Sequence, residues 1–182
     1  MYSTITVIEI ELSSMTFVVP FDGSGLSKAA LVRATEFGTA FDENVIAVTV
    51  IPKENTTYAR DCGWIESGQR FDLESILGHL KESVLEVSQS TEFRYALVGR
   101  YAPPGTVANR IRRLASDTGA TMVFVGSDNA GRMVTSLGSV GGNVASDDTY
   151  DVVIVRTETS LTDDDRDRFG SGANERASFG SN

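Results

Sequence analysis

Apolar residues recur along this chain in two alternating rhythms. Residues 17–21 (Phe-Val-Val-Pro-Phe), 45–51, 93–98, 122–125 and 152–155 are short apolar runs bounded by glycine, proline or acidic residues. Runs that short predict strands, and those at 17–21, 45–51, 122–125 and 152–155 carry too few polar positions for an exposed face, so they read as buried. Between them, apolar positions return every three or four residues. Leu26, Ala29, Ala30, Val32, Arg33 and Phe37 mark a helical stripe over 26–37. Leu73, Ile76, Leu77, Leu80, Val84, Leu85 and Val87 mark one over 71–88; Val107, Ile111, Leu114 and Ala115 mark one over 106–116. A further helix is expected over 139–145, and Gly38 and Gly119 are the expected helix stops. Strands alternating with helices through five repeats predict an α/β fold, an open parallel five-stranded sheet with helices on both faces, Rossmann-like or flavodoxin-like.

Three stretches stand outside that rhythm. Residues 1–14 alternate threonine, isoleucine and glutamate; they read as an N-terminal extension, with an edge strand as the second reading. Residues 53–70 form a long loop with room for one helical turn. Residues 158–182 carry an acidic run (Asp163-Asp164-Asp165) and glycine-serine pairs, with too little apolar surface to offset the entropy of ordering, so a disordered acidic tail is expected. The domain then spans 15–157.

Composition narrows the classes. A chain of 182 residues with 41% hydrophobic positions holds one domain and something left over. The net charge of −9 argues against a nucleic-acid backbone as partner, which needs clustered basic surface. Lysine occurs only at Lys28, Lys53 and Lys81; acidic, lysine-poor surfaces suit a protein kept soluble in concentrated salt. No apolar run approaches a membrane span and the first residues lack a basic signal start, so a cytoplasmic location without membrane contact is expected. The single Cys62 cannot form an intrachain disulfide, and the single His79 has no partner at ligand spacing, so no metal centre is expected.

The stretch 120–157 carries the candidate chemistry. A strand leaves through Gly126-Ser127-Asp128-Asn129-Ala130-Gly131, a second small pair Gly138-Ser139 opens a helix, and a strand closes the unit. Open α/β sheets build anion sites this way, because glycine lets backbone approach a phosphate and N–H groups at a helix start face it. Each residue has a plainer alternative. Gly126 serves a strand-exit turn or a ligand, Ser139 caps a helix or binds a phosphate, and Asp22 caps the first helix with Ser24 or meets a ribose. Arg132 is a phosphate partner or a solvated side chain, and Trp64 is a lid aromatic or loop packing. No catalytic base, metal set or activated nucleophile is legible, so no enzyme activity is expected. The Gly-Lys-Ser/Thr ending of a P-loop and the paired carboxylates of a receiver domain are absent. The hydroxyl-rich loop of a flavodoxin is not met either.

Five segments in order resemble the universal stress protein family, small α/β proteins in the broad superfamily of adenine-nucleotide α-hydrolases. They are Val18-Val19-Pro20-Phe21-Asp22-Gly23-Ser24; residues 45–51; Val98-Gly99 with Pro103; Val123-Phe124-Val125-Gly126-Ser127 running on to Gly138-Ser139-Val140; and Val152-Val153-Ile154-Val155-Arg156. The resemblance implies a stress regulator that binds ATP or a related adenine nucleotide, with or without Mg2+. In it, Asp22 would sit near the ribose or a metal-bridged phosphate, and Val50 would offer its backbone to the adenine edge. Gly126, Ser127, Gly131 and Gly138 would wrap the phosphates, and Ser139 with the Val140 N–H would bind them. The family pattern places a second glycine where Asn129 stands, and only eight residues separate Asn129 from Gly138 instead of nine. That departure keeps a second reading open, a member that acts only through dimerisation and protein contacts. The resemblance also implies a homodimer paired through Val152, Val153, Ile154 and Val155.

Overall fold

The computed structural model describes residues 15–127, 144 and 149–157. The expected extension over 1–14 and the tail over 158–182 lie outside the described residues, as do Asn129, Gly131, Gly138, Ser139 and Val140.

The described elements run β1 (Thr16–Pro20), α1 (Gly25–Phe41), β2 (Asn44–Pro52), α2 (Thr56–Asp61), α3 (Leu73–Val87), β3 (Glu92–Val98), α4 (Thr106–Asp117), β4 (Ala120–Gly126) and β5 (Asp151–Val155). The strands form one sheet in the order β3-β2-β1-β4-β5, every pair parallel. The chain therefore winds outward from β1 to β3, then crosses back over β1 to lay down β4 and β5 on its other side.

Each continuous apolar run divides between two cores, as a strand covered on both faces must. Phe17 and Val19 of β1, Ala47 and Ile51 of β2 and Phe124 of β4 join α1 and α3 in one core. Val18, Val48, Val50, Val123 and Val125 point the other way, onto Ala108, Ile111 and Ala115 of α4 and onto Val144. Phe124 is the keystone of the first core, in ring contact with Phe17 at 5.6 Å and with Phe37 at 5.4 Å. β3, at one edge, is more open: Arg94 and Tyr95 are exposed and only Ala96 is buried.

Cap chemistry fixes the helix starts. The Ser24 side chain accepts from the Ser27 N–H at 3.2 Å, Asp72 accepts from the Glu74 N–H at 3.3 Å, and Gly105 (φ 84°) turns the chain into α4 after two prolines.

Two expectations about α1 are corrected. Gly38 does not stop the helix, which continues to Phe41 and ends at Asp42 in a left-handed conformation (φ 59°). Gly38 is a contact residue: a Cβ there would stand 2.7 Å from Val45 Cγ2 and 3.0 Å from the Glu43 carbonyl oxygen. The missing side chain lets the last turn lie on the start of β2. Arg33 is not part of the buried stripe; it points to solvent and pairs with Glu36 at 2.6 Å. The buried face is instead Ser27, Ala29, Ala30, Leu31, Val32, Ala34, Thr35 and Gly38. That band is wide because α1 touches β1, β2, β4, β5 and α3 together, and its small residues permit the approach.

Candidate functional site

The winding direction reverses between β1 and β4, and open α/β sheets place a crevice at the carboxyl ends of their strands at such a point. A cleft of about 110 Å³ lies at that point. Pro20, Phe21 and Asp22 enter it from β1, Val48, Thr49 and Val50 from β2, Val125 and Gly126 from β4, and Val107 and Ile111 from α4; Tyr58, Trp64 and Val144 complete the lining.

Sequence explains why the sheet splits here. Phe21 donates its N–H to the Val48 carbonyl at 2.8 Å, so amides at 19 and 21 face β2 and position 20 faces β4. Position 20 is proline, which has no N–H to give. The β1–β4 ladder thus loses a donor where the cleft begins.

The same register orients Val50. Val48, partner of Pro20, turns its carbonyl toward β1, and in a strand Val50 turns its backbone to the same side. β1 has ended by then, so the Val50 amide and carbonyl face the cleft and not a neighbouring strand.

Asp22 occupies the turn between β1 and α1, and that turn is heavily tied. The Asp22 carboxylate accepts from the Ser24 N–H at 3.0 Å. Thr49 Oγ1 donates to the Phe21 carbonyl at 2.6 Å, and the Trp64 indole N–H donates to the Asp22 carbonyl at 2.7 Å. Of the two readings for the helix start, Ser24 is the cap of α1, while Asp22 shapes the turn with one carboxylate oxygen and remains exposed at the cleft mouth.

Tyr58 and Trp64 come from the segment after β2, where the expected long loop contains α2. Asn55 starts α2 by accepting from the Tyr58 N–H at 3.0 Å and also donates to the Arg100 carbonyl. The Tyr58 and Trp64 rings meet edge to face at 5.6 Å. Burial, chiefly, together with Cys62 and the charge of Asp22, holds the Tyr58 phenol well above its ordinary pKa. Burial and then the Asp22 charge push the Cys62 thiol up to about 12, against a Tyr58 hydrogen bond that favours the thiolate. Both groups are therefore neutral at physiological pH, and Cys62 is poorly nucleophilic.

Gly126 ends β4 against α1. A Cβ on it would collide with the Leu26 carbonyl and stand 2.8 Å from the Ser27 nitrogen. Ser127 follows, its N–H on the Val155 carbonyl at 3.1 Å. The Tyr150 hydroxyl, buried beside β5, donates to the Val144 carbonyl at 3.1 Å and so fixes the residue that closes the α4 side of the cleft.

Of the residues predicted from sequence, Asp22, Val50 and Gly126 are brought together in this one cleft. Sequence reasoning missed Tyr58, Thr49, Val107, Ile111 and Val144. An aromatic pair in an otherwise polar loop was the available signal for Tyr58.

An open parallel sheet with a cleft at its reversal point defines the broad class of α/β ligand-binding folds. Within that class, residues 14–156 match the Universal stress protein family, and the chain belongs to that family. Solved structures of the same fold include a universal stress protein in complex with cAMP (24% identity, TM-score 0.53, covering 78% of this chain and 96% of that one). UspA from Lactobacillus plantarum is 15% identical with a TM-score of 0.54, over 78% of this chain and 97% of that one. A universal stress protein from Archaeoglobus fulgidus is 18% identical with a TM-score of 0.50, over 78% and 93%. Among proteins of curated function, none matches the sequence. Among the described residues, no helix is long and apolar enough to cross a membrane.

Proposed function

We propose that this chain is a regulator that binds an adenine nucleotide in the cleft between β1 and β4, without dedicated catalysis. The observation that carries the reading is the convergence of Asp22, the inward-facing backbone of Val50 and the end of β4 on one crevice. The chemistry suits a nucleoside: Val48, Val107, Ile111 and Val125 offer apolar walls to a base, Val50 offers a donor and an acceptor to its edge, and Asp22 accepts from a ribose hydroxyl. The cAMP complex of a family relative supports adenine nucleotides as the ligand class. Gly131, Gly138, Ser139 and the Val140 N–H would hold the phosphates, with or without Mg2+.

A second reading has an observation of its own. The packing of Gly126 on Leu26 accounts for that glycine without any ligand, and Asn129 stands where the family pattern has glycine. On this reading the protein acts through contacts alone, as a dimer paired along the half-buried edge strand β5.

Calorimetric titration with ATP, AMP and cAMP, each with and without magnesium, separates the two. Saturable binding that Ser139→Ala weakens for ATP supports the first. A folded protein that takes up none of the three supports the second. Light scattering of wild type against Ile154→Lys tests the dimer, which predicts a halved mass for the variant.

A further inference from the structure

We propose that Trp64 is a positioning residue for Asp22 and, through it, sets the preference of the cleft for ribose-bearing ligands over free bases. The proposal rests on the nucleotide-binding reading. Three bonds hold the turn around Asp22, and each does something different. Thr49 Oγ1 on the Phe21 carbonyl anchors the chain before Asp22 to β2. The Ser24 N–H on the carboxylate ties the side chain to the start of α1. Among the described residues, it is the Trp64 indole, at 2.7 Å, that holds the Asp22 carbonyl itself.

That carbonyl belongs to the peptide that joins Asp22 to Gly23. Gly23 has φ +81°, and a glycine tolerates both signs of φ, so this peptide plane has two accessible orientations where most would have one. The indole donor selects one of them. Without that donor the Asp22 main chain is no longer pinned at its carbonyl, and the carboxylate it carries has a single exposed hydrogen bond as its other tether. Trp64 can act as a rigid post because its ring is half-buried, packed against the α1/α3 core and braced edge-on by Tyr58 at 5.6 Å.

Adenosine and adenine are the probes, because they differ by the ribose that Asp22 would meet. Affinities are measured by calorimetry for wild type, Trp64→Phe (ring kept, donor lost), Asp22→Ala and the double variant. The expected result in Trp64→Phe is an adenosine affinity that falls by about five- to tenfold more than the adenine affinity, the usual scale for one lost hydrogen bond. In the Asp22→Ala background the same substitution should cost adenosine no more than it costs adenine, since a coupled pair is not additive. Equal losses for adenosine and adenine would reduce Trp64 to a ring contact and overturn the proposal, as would independent, multiplying losses in the double variant. Should Trp64→Phe fail to fold, the wild-type indole N–H gives the answer by NMR. Adenosine should slow its solvent exchange and adenine should not; identical behaviour overturns the proposal. A folded wild type that binds neither compound overturns the nucleotide reading itself, and this inference with it.

Discussion

Gly126, the last residue of β4, lies directly on the backbone of Leu26 in the first turn of α1, so close that a single added carbon would strike the Leu26 carbonyl. The contact locks the β1–α1 turn to the end of β4, and these are the two segments that frame the cleft. Gly126→Ala should therefore destabilise the protein by about 2–3 kcal/mol, the overpacking scale when a backbone must shift. Urea unfolding checks it, and an unchanged midpoint would refute the contact. For the same reason, loss of ligand binding in a Gly126 variant says little about whether Gly126 touches the ligand.

Gly38 poses a contest between two effects of known sign. Alanine is favoured over glycine inside a helix by about 0.8–1 kcal/mol. Against this, its Cβ would press on Val45 Cγ2 at 2.7 Å and on the Glu43 carbonyl at 3.0 Å. Val45 is buried and β-branched, with little freedom to move, and the Glu43 oxygen is backbone, so the clash should win. Gly38→Ala is expected to lower stability by about 1 kcal/mol net, whereas a rise in thermal midpoint would show that the last turn of α1 yields easily.

Thr49 is buried in β2, and its hydroxyl meets the Phe21 carbonyl at 2.6 Å. Thr49→Val keeps the shape and removes the donor. The expected cost is about 1–2 kcal/mol, since a buried carbonyl loses its partner. If the nucleotide reading holds, adenosine affinity should fall as well, because the turn bearing Asp22 is loosened. Chemical denaturation and calorimetry on one preparation read both effects, and an unchanged stability would count against the bond.

Cys62 gives the protein a pH signature. Its thiol is pushed up to about 12 in the fold, chiefly by burial and next by the Asp22 charge, against about 8.5 for an unfolded thiol. The folded state therefore holds more protons over that interval. The contribution to stability is fully present below about pH 8.5 and is lost as pH rises toward the folded value. Thermal stability should fall on alkaline titration, and Cys62→Ser should make the decline shallower. Iodoacetamide at about pH 8 should alkylate the folded protein at least tenfold more slowly than the urea-unfolded chain, because the thiolate is the reacting form. Equal rates would mean that the thiol is not shielded.

Much of the fold was legible in the chain because its signals are local. Apolar runs of strand length, helical spacing between them and capping residues such as Ser24 and Asp72 act within a few positions of themselves. Alternation with no polar face at residues 45–51 already meant cover on both sides, and a parallel sheet follows from strands joined by helices. The resemblance read along five segments likewise matched the family over residues 14–156.

Other features were decided only when distant segments met. Gly38 reads as a helix stop until β2 is seen beneath it. Arg33 falls at helical spacing, but α1 packs on β1, β2, β4, β5 and α3 at once, and only the sum of those contacts sets which face is buried. Position 126 reads in the sequence as a strand-exit turn or a ligand contact; its close approach to Leu26, a hundred residues earlier, is visible only in the fold. The hydrogen bond from Trp64 to Asp22 spans 42 positions, and the inward turn of the Val50 backbone depends on where β1 ends beside it. Spacing along a chain encodes what a segment tends to be, because propensity and periodicity are local quantities. Which groups share a cleft depends on strand order and register, and those are fixed by packing among segments that the sequence keeps apart.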